Sequence, residues 1–271
     1  MLIPGVKPYF SIFRLRFSVQ LQYRAAAFAE LFTNYFFGLV RVMVFLAFYA
    51  SSNAPQPLTL AQAVSYTWLT QVTFRVMPWV YETELVNQVR SGNIAYELCR
   101  PLDLYFAWYC RLIAQRLVPS FLTGVPVFIL AAVLPGSIRL GLPSSPDAAA
   151  AFLVSVFMAM LLGCAITNIG VISTLWPDAG DGMIRVFPAF VMILSGVLVP
   201  LAYFPDWAQT ALRILPFSGL VDTPFKFYLG IIPASGLLSY GFLQLFWVVV
   251  FVLIGMLVFR RAARKLVVQG G

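Results

Sequence analysis

The chain has no histidine, three cysteines and three lysines in 271 residues, and only 10% of it is charged. Without histidine, nucleophile sets lose their commonest base and zinc sites their commonest nitrogen ligand. No carboxylate pair is placed for acid–base work, so no catalytic residue and no metal ligand is expected. Cys99, Cys110 and Cys164 lie in separate segments without paired spacing. That excludes a disulfide framework and leaves three inert thiols. Lys7, Lys226 and Lys265 never follow a glycine. The glycine–lysine core of a phosphate-binding loop is therefore missing, and the chain does not bind ATP in that way. The opening MLIPGVKPYFSIF lacks an early apolar core with a small-residue cleavage site, so the first residues are expected in the mature protein.

What is present is apolar. Hydrophobic residues make up 61% of the chain, far from the balance of globular proteins, of which about 25% is charged. A hydrocarbon core needs about 20 apolar residues per crossing helix, and six runs qualify: 25–50, 59–81, 105–134, 148–175, 183–201 and 235–259. The expected fold is an all-α membrane protein, a single transmembrane domain over 1–271. Residues 1–24 form an interfacial helix, 25–81 spans one and two, and 82–103 a polar loop. Residues 104–201 hold spans three to five, 202–234 an outer region, and 235–271 span six with a basic tail.

The net charge of +8 does not imply nucleic acid, because the basic residues are dispersed at span ends rather than gathered on a polar domain. They order the topology instead. With the N-terminus inside, the inner side carries Lys7, Arg14, Arg16, Arg24, Arg90, Arg100, Arg111, Arg185, Arg260, Arg261, Arg264 and Lys265. The outer side carries Arg139, Arg213 and Lys226. Both termini, the polar loop and WPDAGDG at 176–182 are thus expected in the cytoplasm.

Local patterns refine this plan. FRLRFSVQLQYR at 13–24 alternates like a strand, but a lone strand beside a membrane has no partner for its backbone. Lys7, Ser11, Arg14, Ser18 and Gln22 form a helical stripe, so an interfacial helix is expected. In span four, Ala151, Ser155, Ala159, Gly163 and Thr167 recur every four residues, a small edge that lets a helix neighbour approach closely. Span five is expected to be interrupted at Pro188 and closed by Pro200. Residues 205–233 are only half apolar and dip into the interface without crossing.

The loop ETELVNQVRSGNIAYELCRPLD at 82–103 reads as the piece on which a partner acts. Leu85, Val86 and Val89 fall at helical spacing, Ser91, Gly92 and Asn93 supply turn residues, and Ile94 to Leu98 form a short helix that Pro101 stops. Inside the membrane, arginine costs about 2.5–3.5 kcal/mol and calls for a partner, water or a function. Glu30, Asn34 and Arg41 share one face of span one, while Thr67, Gln71 and Arg75 share one face of span two. The two faces are expected to line a polar substrate path, with two guanidiniums suited to an anionic group. The competing reading is a structural network that braces the bundle. Arg116 is expected to snorkel to the inner surface.

The whole chain resembles the permease subunit of a type-2 ABC transporter, within the family of uncharacterised ABC permeases that occur in pairs. The loop sequence RSGNIAYELCRPLD at 90–103 is similar to that family's basic, glycine, short-helix, basic and Pro-Leu order. SGVLVPLAYFPDWAQTALRILPF at 195–217 is similar to the superfamily's serine-glycine, proline, proline-tryptophan and leucine-proline order. The resemblance implies that Arg90, Ser91, Gly92, Asn93, Ile94, Ala95, Tyr96, Glu97, Leu98, Arg100 and Pro101 form a coupling helix docking on a separate ABC ATPase. It also implies that 202–230 forms re-entrant helices capping the outer end, with Pro205, Trp207, Leu215, Pro216 and Phe217 in that cap. The implied assembly holds two ATPases and a second permease, identical or homologous, in the bacterial inner membrane among its lipids. This chain needs no cofactor, ATP and magnesium belonging to the ATPase. WPDAGDG departs from the basic or aromatic second contact expected of the family. Export of a small or amphipathic substrate is the leading expectation. The alternatives are an ABC importer of a polar or anionic solute, an ion-driven secondary transporter, or a membrane scaffold without transport.

Overall fold

The computed structural model describes residues 5–22, 24–52, 54–79, 81 and 83–264. Residues 1–4 of the expected interfacial helix, Glu82 at the start of the loop and Lys265 of the tail lie outside the described residues, as do the side chains of Arg24 and of 177–181. Among the described residues every regular element is helical.

Helix α1 (Lys7–Gln22) covers the alternating stretch. Lys7, Ser11, Arg14, Ser18 and Gln22 are all exposed, while Tyr9 and Ile12 turn to the core. A helix satisfies its own backbone, which a lone strand could not do here. Helix α2 (Arg24–Ser51) follows, then α3 (Leu60–Val72). A capping box starts α3: Thr59 Oγ1 accepts from the Gln62 N–H at 3.2 Å, and Gln62 Oε1 accepts from the Thr59 N–H at 2.9 Å. The expected continuous run over 59–81 is cut. The α-helix ends at Val72, one 3-10 turn spans Phe74–Val76, and Pro78 prevents resumption.

The polar loop carries α4 (Thr83–Arg90) and α5 (Ile94–Leu98). Next come α6 (Leu104–Pro119) and α7 (Val125–Val133), joined by a π-helical turn over Ser120–Gly124. Helix α8 (Pro146–Ser173) is the most enclosed of the long apolar helices, and α9 (Pro177–Leu194) passes through Pro188 without the expected interruption. Two short helices, α10 (Asp206–Ile214) and α11 (Asp222–Tyr228), precede α12 (Leu237–Arg264).

Among the described residues, four helical stretches are long and apolar enough to cross a membrane: Ala26–Ser51, Leu104–Val133, Pro146–Ser173 and Ala234–Arg264. Six were expected. The other two are not single long helices, since span two breaks at Thr73 and the helix of span five ends at Leu194.

The small edge of α8 points inward. Ser155 Oγ donates to Gln244 Oε1 at 3.0 Å, and Gln244 Nε2 donates to the carbonyls of Ser155 and Gly219 at 3.1 and 2.7 Å, tying α8 to α12. A methyl group added at Gly163 would stand 2.9 Å from the Val76 carbonyl oxygen, so the missing side chain admits the broken segment of span two. At one end of the molecule the Trp108 ring meets Phe259 at 5.7 Å, and the Asp103 N–H donates to the Tyr9 hydroxyl at 3.1 Å. That basic end gathers α1, the polar loop and the close of α12. The opposite end holds Arg139, α10 and α11. Outward, α2 presents Phe28, Phe32, Phe36, Met43 and Val44, an apolar surface suited to lipid or another helix.

Candidate functional site

The polar loop has a buried side and a bare tip. Leu85, Val86 and Val89 are buried, as their spacing predicts, and so is Ile94. Between them Gly92 turns the chain with φ of +74°, a conformation that side chains resist. Ala95 is half-buried, whereas Arg90, Ser91, Gly92, Asn93, Leu98, Arg100 and Pro101 are exposed. Tyr96 is 78% exposed, a large aromatic ring left open with Leu98 on a tip whose other exposed side chains are mostly polar.

Two ties hold this loop to the helices behind it. Trp108 Nε1 donates to Glu97 Oε2 at 3.1 Å, linking α5 to α6. Glu84 receives both Arg16 Nη1 and Nη2, at 2.7 and 2.9 Å, and pairs with Arg111 Nη2 at 2.5 Å. The Arg16 hydrogen bond, assisted by Arg111 and opposed by burial, holds the Glu84 carboxyl below its ordinary value. One carboxylate thereby joins α1, α4 and α6. Asp103 then caps α6 by accepting from the Phe106 N–H at 3.2 Å. The contribution of Glu84 was not legible from spacing, because Arg16, Glu84 and Arg111 meet only through the fold.

The two expected polar faces do meet. A methyl group at Gly38 would stand 3.2 Å from the Gln71 side chain, so glycine lets α2 lie close to α3. Yet the arginines take different partners. Arg75 makes a two-pronged pair with Glu30, Nε to Oε1 and Nη2 to Oε2, each 2.5 Å. Arg41 Nη2 instead donates to the carbonyls of Val197 and Leu198 at 2.5 and 3.1 Å, beyond the end of α9. Thr70 Oγ1 lies 3.4 Å from Arg41 Nη1 and donates to the Thr67 carbonyl at 2.6 Å. Thr67 Oγ1 bonds its own helix at the Ala63 carbonyl, 2.9 Å away. Asn34 is buried and its Nδ2 has no partner among the described residues.

Arg116 does not snorkel. It is only 6% exposed. Its Nη1 donates to the Val76 carbonyl at 3.0 Å and also to that of Met77, while Nη2 donates to Thr167 Oγ1 at 2.5 Å. The physical reason is the cut in span two, which frees carbonyls that the guanidinium of α6 satisfies. Pro78 was the visible signal. A proline late in an apolar run predicts orphan carbonyls, and Arg116 on the next span was the available donor.

Arg75 and Arg116 both line a cavity of about 200 Å³ with Gln20, Gln115 and Tyr81, where α1, the broken segment and α6 converge. Arg41 does not line it.

At the opposite end, Pro205 leads into α10 and Trp207 is 79% exposed. Leu215 is exposed and Pro216 buried, while the Phe217 ring packs on Phe187 at 6.2 Å. Trp247 Nε1 donates to the Ile214 carbonyl at 2.9 Å, and Gln209 Nε2 to those of Ala202 and Phe204 at 3.2 and 2.8 Å. These bonds satisfy backbone that neither helix can.

A family model described as ABC-2 family transporter protein matches residues 35–270. No curated protein matches the chain.

Proposed function

The chain belongs to the ABC-2 transporter family, and on that premise we propose that it is the permease subunit of an ATP-driven exporter of a small or amphipathic substrate in the bacterial inner membrane. Family membership makes it a membrane-embedded transport component whose kind works with an ATPase. The finer reading has six crossings, both termini and the polar loop in the cytoplasm, two ATPases, and a second permease against the exposed face of α2.

One observation supports the coupling role most directly: Tyr96 stands bare on a loop whose opposite side is buried and tied down. A bare aromatic at a rigid, polar tip fits a hot spot for a protein partner. Closure of the ATPases on nucleotide would push α5. The Glu97–Trp108 bond would pass that push to α6, and Glu84 would pass it to α1. Arg75 borders the cavity near the basic end, in keeping with an inner mouth of the path. Arg41 holds the turn after α9, in keeping with coupling of span one to the outer cap.

Co-purification with the ATPase tests this reading. Gly92→Pro, or Tyr96→Ala with Glu97→Ala, should leave the permease inserted but lose the ATPase or its stimulated ATP turnover. A complex of unaltered yield and turnover would remove residues 90–101 from the coupling role.

A further inference from the structure

Under α10 and α11 lies a second cavity, of about 410 Å³, within the roughly 300–1,000 Å³ typical of small-molecule sites. Leu58 and Gln62, at the start of α3, also line it, but Glu30, Asn34, Arg41, Thr67, Gln71 and Arg75 do not. Its charged residues are Arg213 from α10 and Asp222 and Lys226 from α11, with Thr223 and Tyr240 beside them.

The charges do not balance. Lys226 Nζ pairs with Asp222 Oδ2 at 2.5 Å, one helical turn apart. Among the described residues the hydrogen-bond acceptor of Arg213 is neutral, Gln209 Oε1 at 3.2 Å, and Asp222 acts on it through space. Two cations and one carboxylate leave a net positive wall on a partly enclosed cavity. Burial of the pair is unusual, since the Lys226 and Asp222 side chains are 12% and 2% exposed. Holding a lysine at such a wall costs desolvation that a simple surface brace would avoid. A one-to-one pair leaves the Lys226 ammonium with two further protons to donate, while the Leu201 backbone and the Tyr66 hydroxyl face the Asp222 carboxylate.

We propose that this outer cavity binds an anionic group, a phosphate or carboxylate, between the Arg213 guanidinium and the Lys226 ammonium, with Thr223 and Tyr240 as hydroxyl partners. Guanidinium and ammonium together match an oxyanion in charge and in donor count. The amphipathic α10, with Trp207 bare and Ala208 and Leu212 buried, sets the cavity beside an interface where an acyl-bearing anion would present its headgroup. The site needs no ATPase and stands apart from the transport reading.

The test is equilibrium binding to the purified permease alone, in uncharged maltoside detergent. The probes are inorganic phosphate, dihexanoyl phosphatidate, octanoate and, as zwitterionic control, dihexanoyl phosphatidylcholine. Saturable binding of one or more of the three anions, and not of the control, is expected. Phosphate alone would identify a free anion, and phosphatidate alone a lipid headgroup. Arg213→Gln should weaken binding about tenfold, as loss of one charged hydrogen bond does, and Arg213→Lys should restore most of it. Arg213 is exposed, so its variants should keep the parent's melting temperature. The double change Asp222→Asn with Lys226→Gln removes the ammonium donor without stranding a charge, leaves the Arg213 guanidinium at the wall, and should weaken binding to a similar degree. No anion binding, binding equal to the control, or binding unchanged in both Arg213→Gln and the double variant would overturn the proposal.

Discussion

Two intramembrane arginines near the basic end do different work although they share a cavity wall. Arg116 ends on backbone: its guanidinium is spent on two carbonyls and one hydroxyl, and it is sealed. Arg75 ends on a carboxylate, with 38% of its side chain exposed. The first arrangement repairs a helix, and removing it harms the fold. The second leaves a cation part-exposed beside a compensating anion. An intramembrane arginine is therefore read by its acceptor rather than by its depth.

The comparison breaks most visibly at Arg116. Arg116→Leu should strand the Val76 and Met77 carbonyls and cost about 2–6 kcal/mol, at about 1–3 per unsatisfied group. Denaturant midpoints in detergent would record it, and Arg116→Gln should recover less than half. Removing Arg75 alone should cost about 2–3 kcal/mol, because Glu30 is left largely buried and unpaired. Here the neutral pair Glu30→Gln with Arg75→Gln should restore the melting temperature while substrate-stimulated ATP hydrolysis stays low. A stable double variant with normal turnover would make Arg75 a brace like Arg116. Arg41→Gln should cost about 1–2 kcal/mol for its carbonyl bonds, and crosslinking between α2 and residues 197–198 should fall with it.

The smallest expected effects are at the loop. Tyr96→Ala should shift stability by less than about 0.5 kcal/mol, as exposed substitutions do, yet lower ATPase association. Glu84→Gln should cost less than about 1 kcal/mol, because half of that side chain is in solvent. The sign with pH follows from its depressed carboxyl. The tie is fully present above the ordinary carboxylate value near 4.3 and is lost as pH falls through the lower folded value. Spin-label distances between α1 and α6 should therefore widen in acid, and should stay constant from pH 5 to 8.

Much of this was legible because the membrane allows few solutions. The helix over 7–22, the buried Leu85, Val86 and Val89, and the inward edge of α8 follow from periodicity and from the need to satisfy backbone. The acceptors were not legible. Glu30 lies 45 positions from Arg75, so no spacing in the sequence joins them. Val197 and Leu198 accept through backbone oxygens, which carry no sequence signature at all. Pro188 misled in the other direction, since α9 runs through it. Residues 205–233 read as a half-apolar stretch, but only the fold sets Arg213 against the Asp222–Lys226 pair.

The cut in span two and the π-helical turn of Ser120–Gly124 lie side by side: a methyl group at Gly124 would run into the Val72 carbonyl. Two adjacent helices therefore lose their regular i→i−4 hydrogen-bond ladder at one level. A rod bends where it is least stiff, so a load applied at the basic end would fold the molecule along that crease instead of being carried undiminished to the far side. Under the proposed coupling, bilayer thickness then becomes a mechanical variable, and lipid chain length should tune how much of a stroke at the loop reaches α10.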